Sequence, residues 1–362
     1  MRNFKVINCG SPGNGVMTFT KSLLKEMNIN DPLSEDQDWY HRYYYTNNSR
    51  VEMVNVSSYP GFIGPTFAAF RNADHINIVV DVTQKNFSQS LLILKTALKI
   101  SSGRVTVLLN KMDLVLWDKD VYQELCGKIR SHIVDEDQLR VQFVPTSSKT
   151  GGNVYHLEPE SQWFSGDSAY QTWKRSFLHQ KRSIEPSSAI LALSKGQWVD
   201  DQWFVHGSVV QGKVKSGDSL FSLPARKPVE IKKLYILDKA VSEAKKGSPI
   251  TIQLDQAMDP HFLVKENLDF QTADRVTARI YNWKGKFEKE QNFKMKYFSR
   301  EFQCKVHNIH MENRIGEDVW ECVVDFKVFP KLTYQRIGTH KRLGTFYIID
   351  PISQKNCGIG LF

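Results

Sequence analysis

Short unbroken apolar runs alternate with longer stretches of helical period through the first half of the chain. Apolar runs at residues 4–9, 51–56, 76–80, 105–109 and 141–144 are interleaved with helix-like segments at 17–27, 63–71, 87–98 and 118–133. Runs of this length without in/out alternation predict strands buried on both faces, as in a parallel sheet. The reading is therefore an α/β domain with a mostly parallel sheet and helices on both faces. The stretch Lys181-Arg182-Ser183-Ile184-Glu185-Pro186-Ser187-Ser188 reads as a linker. Beyond it the pattern changes to short alternating runs broken by Gly and Asp turns, which predicts β-barrels. A second boundary falls near residues 269–273. The expected organisation is an α/β domain over residues 1–182 and β-barrel domains over 187–268 and 272–362.

Composition narrows this only a little. With 362 residues, 41% hydrophobic and 24% charged, the chain can bury ordinary cores. It contains no run of eighteen apolar residues, and Met1-Arg2-Asn3-Phe4 leads straight into a strand. The expectation is a cytoplasmic protein with no membrane span and no signal peptide. Cys9, Cys126, Cys304, Cys322 and Cys357 are scattered and odd in number, which predicts reduced thiols and no metal site. A net charge of +9 leaves an acidic partner open.

Two loops at the ends of predicted strands carry the candidate chemistry. Gly10-Ser11-Pro12-Gly13-Asn14-Gly15-Val16-Met17-Thr18 follows the first strand. A phosphate loop of the form G-x-x-x-x-G-K-[ST] wraps backbone N–H groups around phosphates. Its lysine pairs with the β/γ oxygens and its hydroxyl holds Mg²⁺. Gly10, Gly13 and Gly15 keep the frame and Thr18 keeps a hydroxyl, yet Val16 and Met17 occupy the lysine and magnesium positions. Losing a charge-assisted contact costs about 1.5–3 kcal/mol. Losing the metal ligand as well removes most of the stabilisation that phosphoryl transfer needs. The second loop, Asn110-Lys111-Met112-Asp113, ends the fourth apolar run, and Ser147-Ser148-Lys149 follows the fifth. In a guanine-reading Asn-Lys-x-Asp, the Asp accepts from the base amino and ring N–H. The Lys stem packs on the base and the Asn ties loops together.

With these positions placed, the chain resembles the translation-factor superclass of GTPases, and within it the large GTPase subunit of bacterial ATP sulfurylase. That family's loop GSVDDGKST is matched by Gly10 to Thr18, its AYRYF-x-T by Tyr40-His41-Arg42-Tyr43-Tyr44-Tyr45-Thr46, and its NKMDLV by Asn110 to Val115. Its W-[YF]-x-G is matched by Trp163-Phe164-Ser165-Gly166, and the barrel pattern by Gly207 to Asp218. The closing TG-x-FI-x-ID…TVGAG is matched by Leu343 to Asp350 and Asn356 to Gly360. The resemblance implies a P-loop-type G domain followed by two β-barrels. It also exposes further departures. Ser58 stands where the D-x-x-G aspartate should be, with Gly61 kept, and Phe62 stands where the water-orienting histidine would be. Asp36 aligns with the switch threonine.

The expected function is that of a pseudo-GTPase: a non-hydrolysing regulatory or scaffold subunit with no catalytic residues. Its cofactor would be GTP or GDP, held weakly and without Mg²⁺ by Gly10, Gly13, Gly15, Thr18, Asn110, Lys111, Asp113, Ser147, Ser148 and Lys149. The resemblance implies a catalytic protein partner, a sulfate-activating or related nucleotide-hydrolase-fold enzyme. The alternative is an RNA- or ribosome-binding factor. Its motivation is the basic, aromatic stretch from Arg279 to Lys289 and from Lys294 to Arg300, for which strands alternating solvent-facing Lys with core-facing aromatics are the favoured reading. A third reading, hydrolysis with Asp36, Asp38 or Lys21 as substitutes, has less to support it. His307 and His310 fall in a strand-like context and read as surface or core histidines, not metal ligands.

Overall fold

The computed structural model describes residues 2–27, 40–46, 49–56, 63–71, 73–182, 188–265, 268–315, 319–337 and 343–362. The chain divides into two compact units, the first carried by Met1–Arg182 and the second by the strands that follow.

The first unit runs β1 (Arg2–Gly10), α1 (Val16–Glu26), β2 (Tyr40–Thr46), β3 (Ser49–Asn55), α2 (Ile63–Phe70) and β4 (His75–Asp81). It continues with α3 (Ser88–Ile100), β5 (Arg104–Asn110), α4 (Lys119–Arg130), α5 (Asp135–Gln138), β6 (Val141–Pro145) and α6 (Ala169–Arg182). The sheet order is β2-β3-β1-β4-β5-β6, parallel except that β2 runs antiparallel to β3 at the edge. Every residue of β4 is buried, and every residue of β5 except Arg104, as the unbroken apolar runs require. Helix α1 buries Phe19, Leu23 and Leu24 against Met53, Val79, Leu108 and Val144. Asp118 caps α4 by accepting from the Asp120 and Val121 amides at 2.7 and 3.2 Å. Strand order reverses around β1, so its carboxyl end opens where ligands of such sheets bind.

One row across this sheet is polar, and it is buried. Asn55, Asn8, Asn77 and Thr106 stand in register on β3, β1, β4 and β5. Asn8 Nδ2 donates to Asn55 Oδ1 at 3.0 Å and to Thr20 Oγ1 of α1 at 3.1 Å. Asn77 Nδ2 donates to Asn8 Oδ1 at 2.8 Å. His75 joins the row to α6, with Nε2 3.1 Å from Asn77 Oδ1 and 3.0 Å from Thr106 Oγ1, and Nδ1 3.0 Å from Ser176 Oγ. Asn8, His75, Asn77 and Thr106 are wholly buried. Burial pushes the His75 pKa down to about 3, against the raising effect of its bond to Asn77. Such a row is tolerable only because its members satisfy one another.

The second unit begins with β7 (Ile190–Val199), β8 (Gln202–Gln211), β9 (Lys213–Lys215), β10 (Ser219–Leu223) and β11 (Pro228–Ile236). Then come β12 (Lys239–Val241), β13 (Glu243–Lys245), β14 (Pro249–Leu254) and β15 (Phe262–Val264). Pairing of β10 with β11 closes β10-β15-β7-β8-β14-β11 into a ring. A second closed barrel, β16-β19-β18-β17-β20-β21, is built from β16 (Gln271–Asn282), β17 (Asn292–Tyr297), β18 (Arg300–Arg314), β19 (Trp320–Tyr334), β20 (Thr345–Ile349) and β21 (Asn356–Leu361). The two barrels share one hydrophobic cluster, in which Ile190, Val210, Leu223 and Phe262 lie with Phe270, Tyr297 and Phe302. Arg300 fastens them. Its Nε donates to Leu193 O at 2.9 Å, and one terminal nitrogen donates to Ser194 O and Pro260 O at 2.8 Å and to Asp259 Oδ1 at 2.6 Å.

The basic, aromatic stretch resolves into strand alternation. Tyr281, Phe287, Phe293 and Tyr297 are buried in the barrel. The cations beside them meet carboxylates: Arg279 with Glu321, Lys284 with Asp350, Lys286 with Glu312 and Lys294 with Glu301. His310 lies on β18 and pairs with Asp325 at 2.7 Å. Among the described residues no helix is long and apolar enough to cross a membrane, and no His/Cys/Asp/Glu cluster could hold a metal ion.

Candidate functional site

The loop from Gly10 to Gly15 leaves the carboxyl end of β1 and turns into α1. Only glycine fits at Gly10, where a Cβ would lie 2.5 Å from Val79 O. Gly15 has φ 93, and a Cβ there would meet Asn110 Nδ2 at 2.7 Å. Gly13 sits exposed at the loop tip with φ 80. Asn14 pins the loop from below, its Nδ2 donating to Val79 O at 2.8 Å, while Ser11 Oγ lies 3.0 Å from Ser90 Oγ of α3. No acidic side chain stands in the first turn of α1 and no side chain caps it. Its first amides are thus of the kind that accept an anion.

Val16 and Met17 pack against the cluster of Phe19, Leu23, Met53 and Val79. Asn55 Nδ2, at the end of β3, lies 3.7 Å from Met17 Sδ. Thr18 is exposed on the first turn of α1. Ser58, Gly61, Phe62, Asp36 and Asp38 lie outside the described residues.

The second loop is tied to the first. Asn110 Nδ2 donates to Asn14 O at 2.8 Å, while its Oδ1 accepts from both the amide and the hydroxyl of Ser148 at 2.8 Å. One buried amide thus joins three loops at the carboxyl edge of the sheet. Ser147 Oγ donates to Asp113 Oδ1 at 2.6 Å, fixing the carboxylate expected to read a base edge. The Ser147–Gly152 turn closes on itself, with Gly151 N donating to Ser147 O and Ser147 N to Gly152 O. Lys149 is exposed on that turn. Lys111 adopts a left-handed backbone with φ 67, and its Nζ lies 2.6 Å from Asp81 Oδ2 at the end of β4. Asp81 Oδ1 also accepts from Thr83 N at 2.9 Å and Thr83 Oγ1 at 2.7 Å. Burial works to raise the Asp81 pKa. The bonds from Lys111 and Thr83, with the charge of Lys111, overcome it and hold the carboxyl below its ordinary value.

Asn110 is therefore bonded to Ser148 and to Asn14 of the Gly10–Gly15 loop, and Ser147 to Asp113, with Lys111 held by Asp81 at their side. Sequence reasoning missed Asp81, Thr83, Asn14 and Ser90. Asp81 was the most accessible of these, a lone acid ending an apolar strand.

A P-loop-type G domain followed by two β-barrels is the architecture of translation-factor GTPases. Residues 15–182 match the family model described as the elongation factor Tu GTP binding domain. The fold likeness extends along the whole chain: the Ski7 GTPase-like domain of S. cerevisiae, bound to GTP, aligns at TM-score 0.56 and 11% identity, over 99% of this chain and 97% of that one. Among curated proteins, the chain is similar to sulfate adenylyltransferase subunit 1. The Vibrio atlanticus protein is 27% identical over 207 residues, 56% of this chain but only 42% of its own length. The Alteromonas mediterranea protein is 21% identical over 344 residues, covering 90% of this chain and 72% of the relative. Residues 15–182 thus resemble the GTP-binding domain of elongation factor Tu, and the chain is similar to sulfate adenylyltransferase subunit 1.

Proposed function

We propose that this chain binds guanine nucleotide without hydrolysing it and acts by docking on a catalytic protein partner. The observation that carries the reading is the contrast between the two ends of one site. Asn110, Asp113, Ser147 and Ser148 are bonded as base-reading residues need to be. Val16 and Met17, where a phosphate-binding lysine and a metal-binding hydroxyl would stand, are apolar and lie half-buried against the core cluster. Gly10, Gly13, Gly15 and Thr18 leave room for a phosphate on backbone amides, so GDP or GTP would be held without Mg²⁺. Coupling to a partner then rests on different contacts in two states, not on a chemical step.

The partner class follows from the relatives, whose name denotes one subunit of a sulfate-activating enzyme. The chain spans 42% of the Vibrio protein in their alignment, so the catalytic subunit remains part of the proposal. RNA or ribosome binding is the weaker reading, because Tyr281, Phe287, Phe293 and Tyr297 are core residues, with Trp283 and Phe298 half-buried. Capture of the tagged protein from its native lysate, with analysis of the bound nucleotide, separates the two. A sulfate-activating catalytic subunit and guanine nucleotide in the eluate support the proposal; ribosomal or transfer RNA in their place overturns it.

A further inference from the structure

The pairing of Asp81 and Lys111 lies beside the base-reading residues, and the mechanism so far makes no use of it. Asp81 ends β4 in register with Asn110 of β5, so Lys111 is the first residue beyond the paired strands. Val82 N donates to Asn110 O at 3.0 Å, carrying the pairing past Asp81. From its left-handed backbone, Lys111 sends its side chain back to β4, and Nζ reaches Asp81 Oδ2 at 2.6 Å. The carboxylate is itself immobile: 5% exposed, with its other oxygen taken by the amide and hydroxyl of Thr83. A lysine on a surface normally samples many rotamers. This one is stretched between a strained backbone and a fixed anion, two residues before Asp113.

Resting on the guanine-nucleotide reading above, we propose that Asp81 is the positioning residue of the base pocket. By clamping the ammonium of Lys111 it holds the four-carbon stem as a preformed apolar wall for a purine face. It also neutralises the only charge that Lys111 would otherwise bring to the ligand. The stem then contributes by shape, and recognition of guanine falls to Asp113.

The test is a titration of fluorescently labelled GDP, with ADP as competitor, on the full chain and on Asp81→Asn, Lys111→Met and the double variant. Releasing the stem returns its rotamer freedom, so Asp81→Asn should weaken GDP by about tenfold. In the Lys111→Met background the same change should have no effect, because Asp81 acts only through Lys111. Thr83→Val, which loosens the carboxylate and keeps the ion pair, should shift affinity the same way by a smaller factor. A merely structural Asp81 would weaken GDP equally in both backgrounds, which would overturn the inference. Unchanged GDP affinity in Asp81→Asn would overturn it too and leave the guanine reading standing. No GDP binding by the unmodified protein would overturn both.

Discussion

Asn55 and Met17 meet beside the Gly10–Gly15 loop, the amide nitrogen of one 3.7 Å from the sulfur of the other. Met17 stands in the first turn of α1, at the place where a phosphate loop offers its metal-binding hydroxyl, and Asn55 ends the strand before the expected second phosphate motif. A thioether is a poor ligand for Mg²⁺, which takes hard oxygen donors. The contact also anchors Asn55, whose Oδ1 accepts from Asn8 and Thr20.

Rebuilding the grip should therefore be visible as affinity. Val16→Lys with Met17→Ser restores a cation and a hydroxyl to the phosphate loop. Each charge-assisted contact recovered is worth about 1.5–3 kcal/mol. Tighter GTP binding that now depends on Mg²⁺ is expected in calorimetry, accompanied by a lower melting temperature from lost packing. An affinity for GTP equal to that of the unmodified protein would contradict this assignment.

At the other end, Asp113→Ala removes the carboxylate that Ser147 holds at 2.6 Å. Removal of a charged hydrogen-bonding partner costs about 1.5–3 kcal/mol. GDP affinity should fall by one to two orders of magnitude with little change in fold, as checked by circular dichroism. Ser147→Ala should give a smaller loss in the same direction.

The polar row makes a prediction about pH. His75 is neutral in the folded protein, with its pKa near 3 against an ordinary value of 6.5. Between those values the unfolded chain binds a proton that the folded chain refuses. The contribution of His75 is therefore complete above about pH 6.5 and is lost as pH falls toward 3. Urea midpoints measured from pH 7 to pH 4 should drop, and His75→Gln should flatten that drop. Equal slopes for the two proteins would remove His75 from the account.

Arg300 predicts the integrity of the second unit. Its head is 10% exposed and donates to carbonyls of Leu193, Ser194 and Pro260 and to Asp259. Arg300→Ala leaves those acceptors without their donor, at a cost of about 1.5–3 kcal/mol. The expected readout is a lower unfolding midpoint for the barrels, with GDP binding by the first unit intact. Loss of nucleotide binding in that variant would argue against this division of labour.

Much of this was legible in the chain because burial on both faces leaves a plain mark. The runs at residues 76–80 and 105–109 became β4 and β5 with nearly every residue buried. Edge strand β2 and helix α6 were harder. Tyr40 to Thr46 is a polar–aromatic segment in which His41, Arg42 and Tyr43 are exposed, and α6 mixes Trp173 and Phe177 with Lys174, Arg175, Lys181 and Arg182. The loop Asn110 to Asp113 was readable from its motif. Its ties to Asn14 and Asp81 were not, because they join positions 96 and 30 residues apart. The buried row of Asn8, Asn55, Asn77 and Thr106 was hidden for the same reason, since its members stand on four strands that are neighbours only in the folded sheet. In the basic, aromatic stretch the alternation expected of strands is seen, with Tyr281, Phe287, Phe293 and Tyr297 in the core and Arg279 and Lys284 against carboxylates.

The most direct measurement is single-turnover phosphate release from GTP by the purified full chain, run with Mg²⁺ and with EDTA alongside a binding titration. Guanine nucleotide bound equally in both buffers, with no phosphate released above the rate in buffer alone, is the predicted result. Binding that requires Mg²⁺, or phosphate release that Asp113→Ala abolishes, would contradict the central claim.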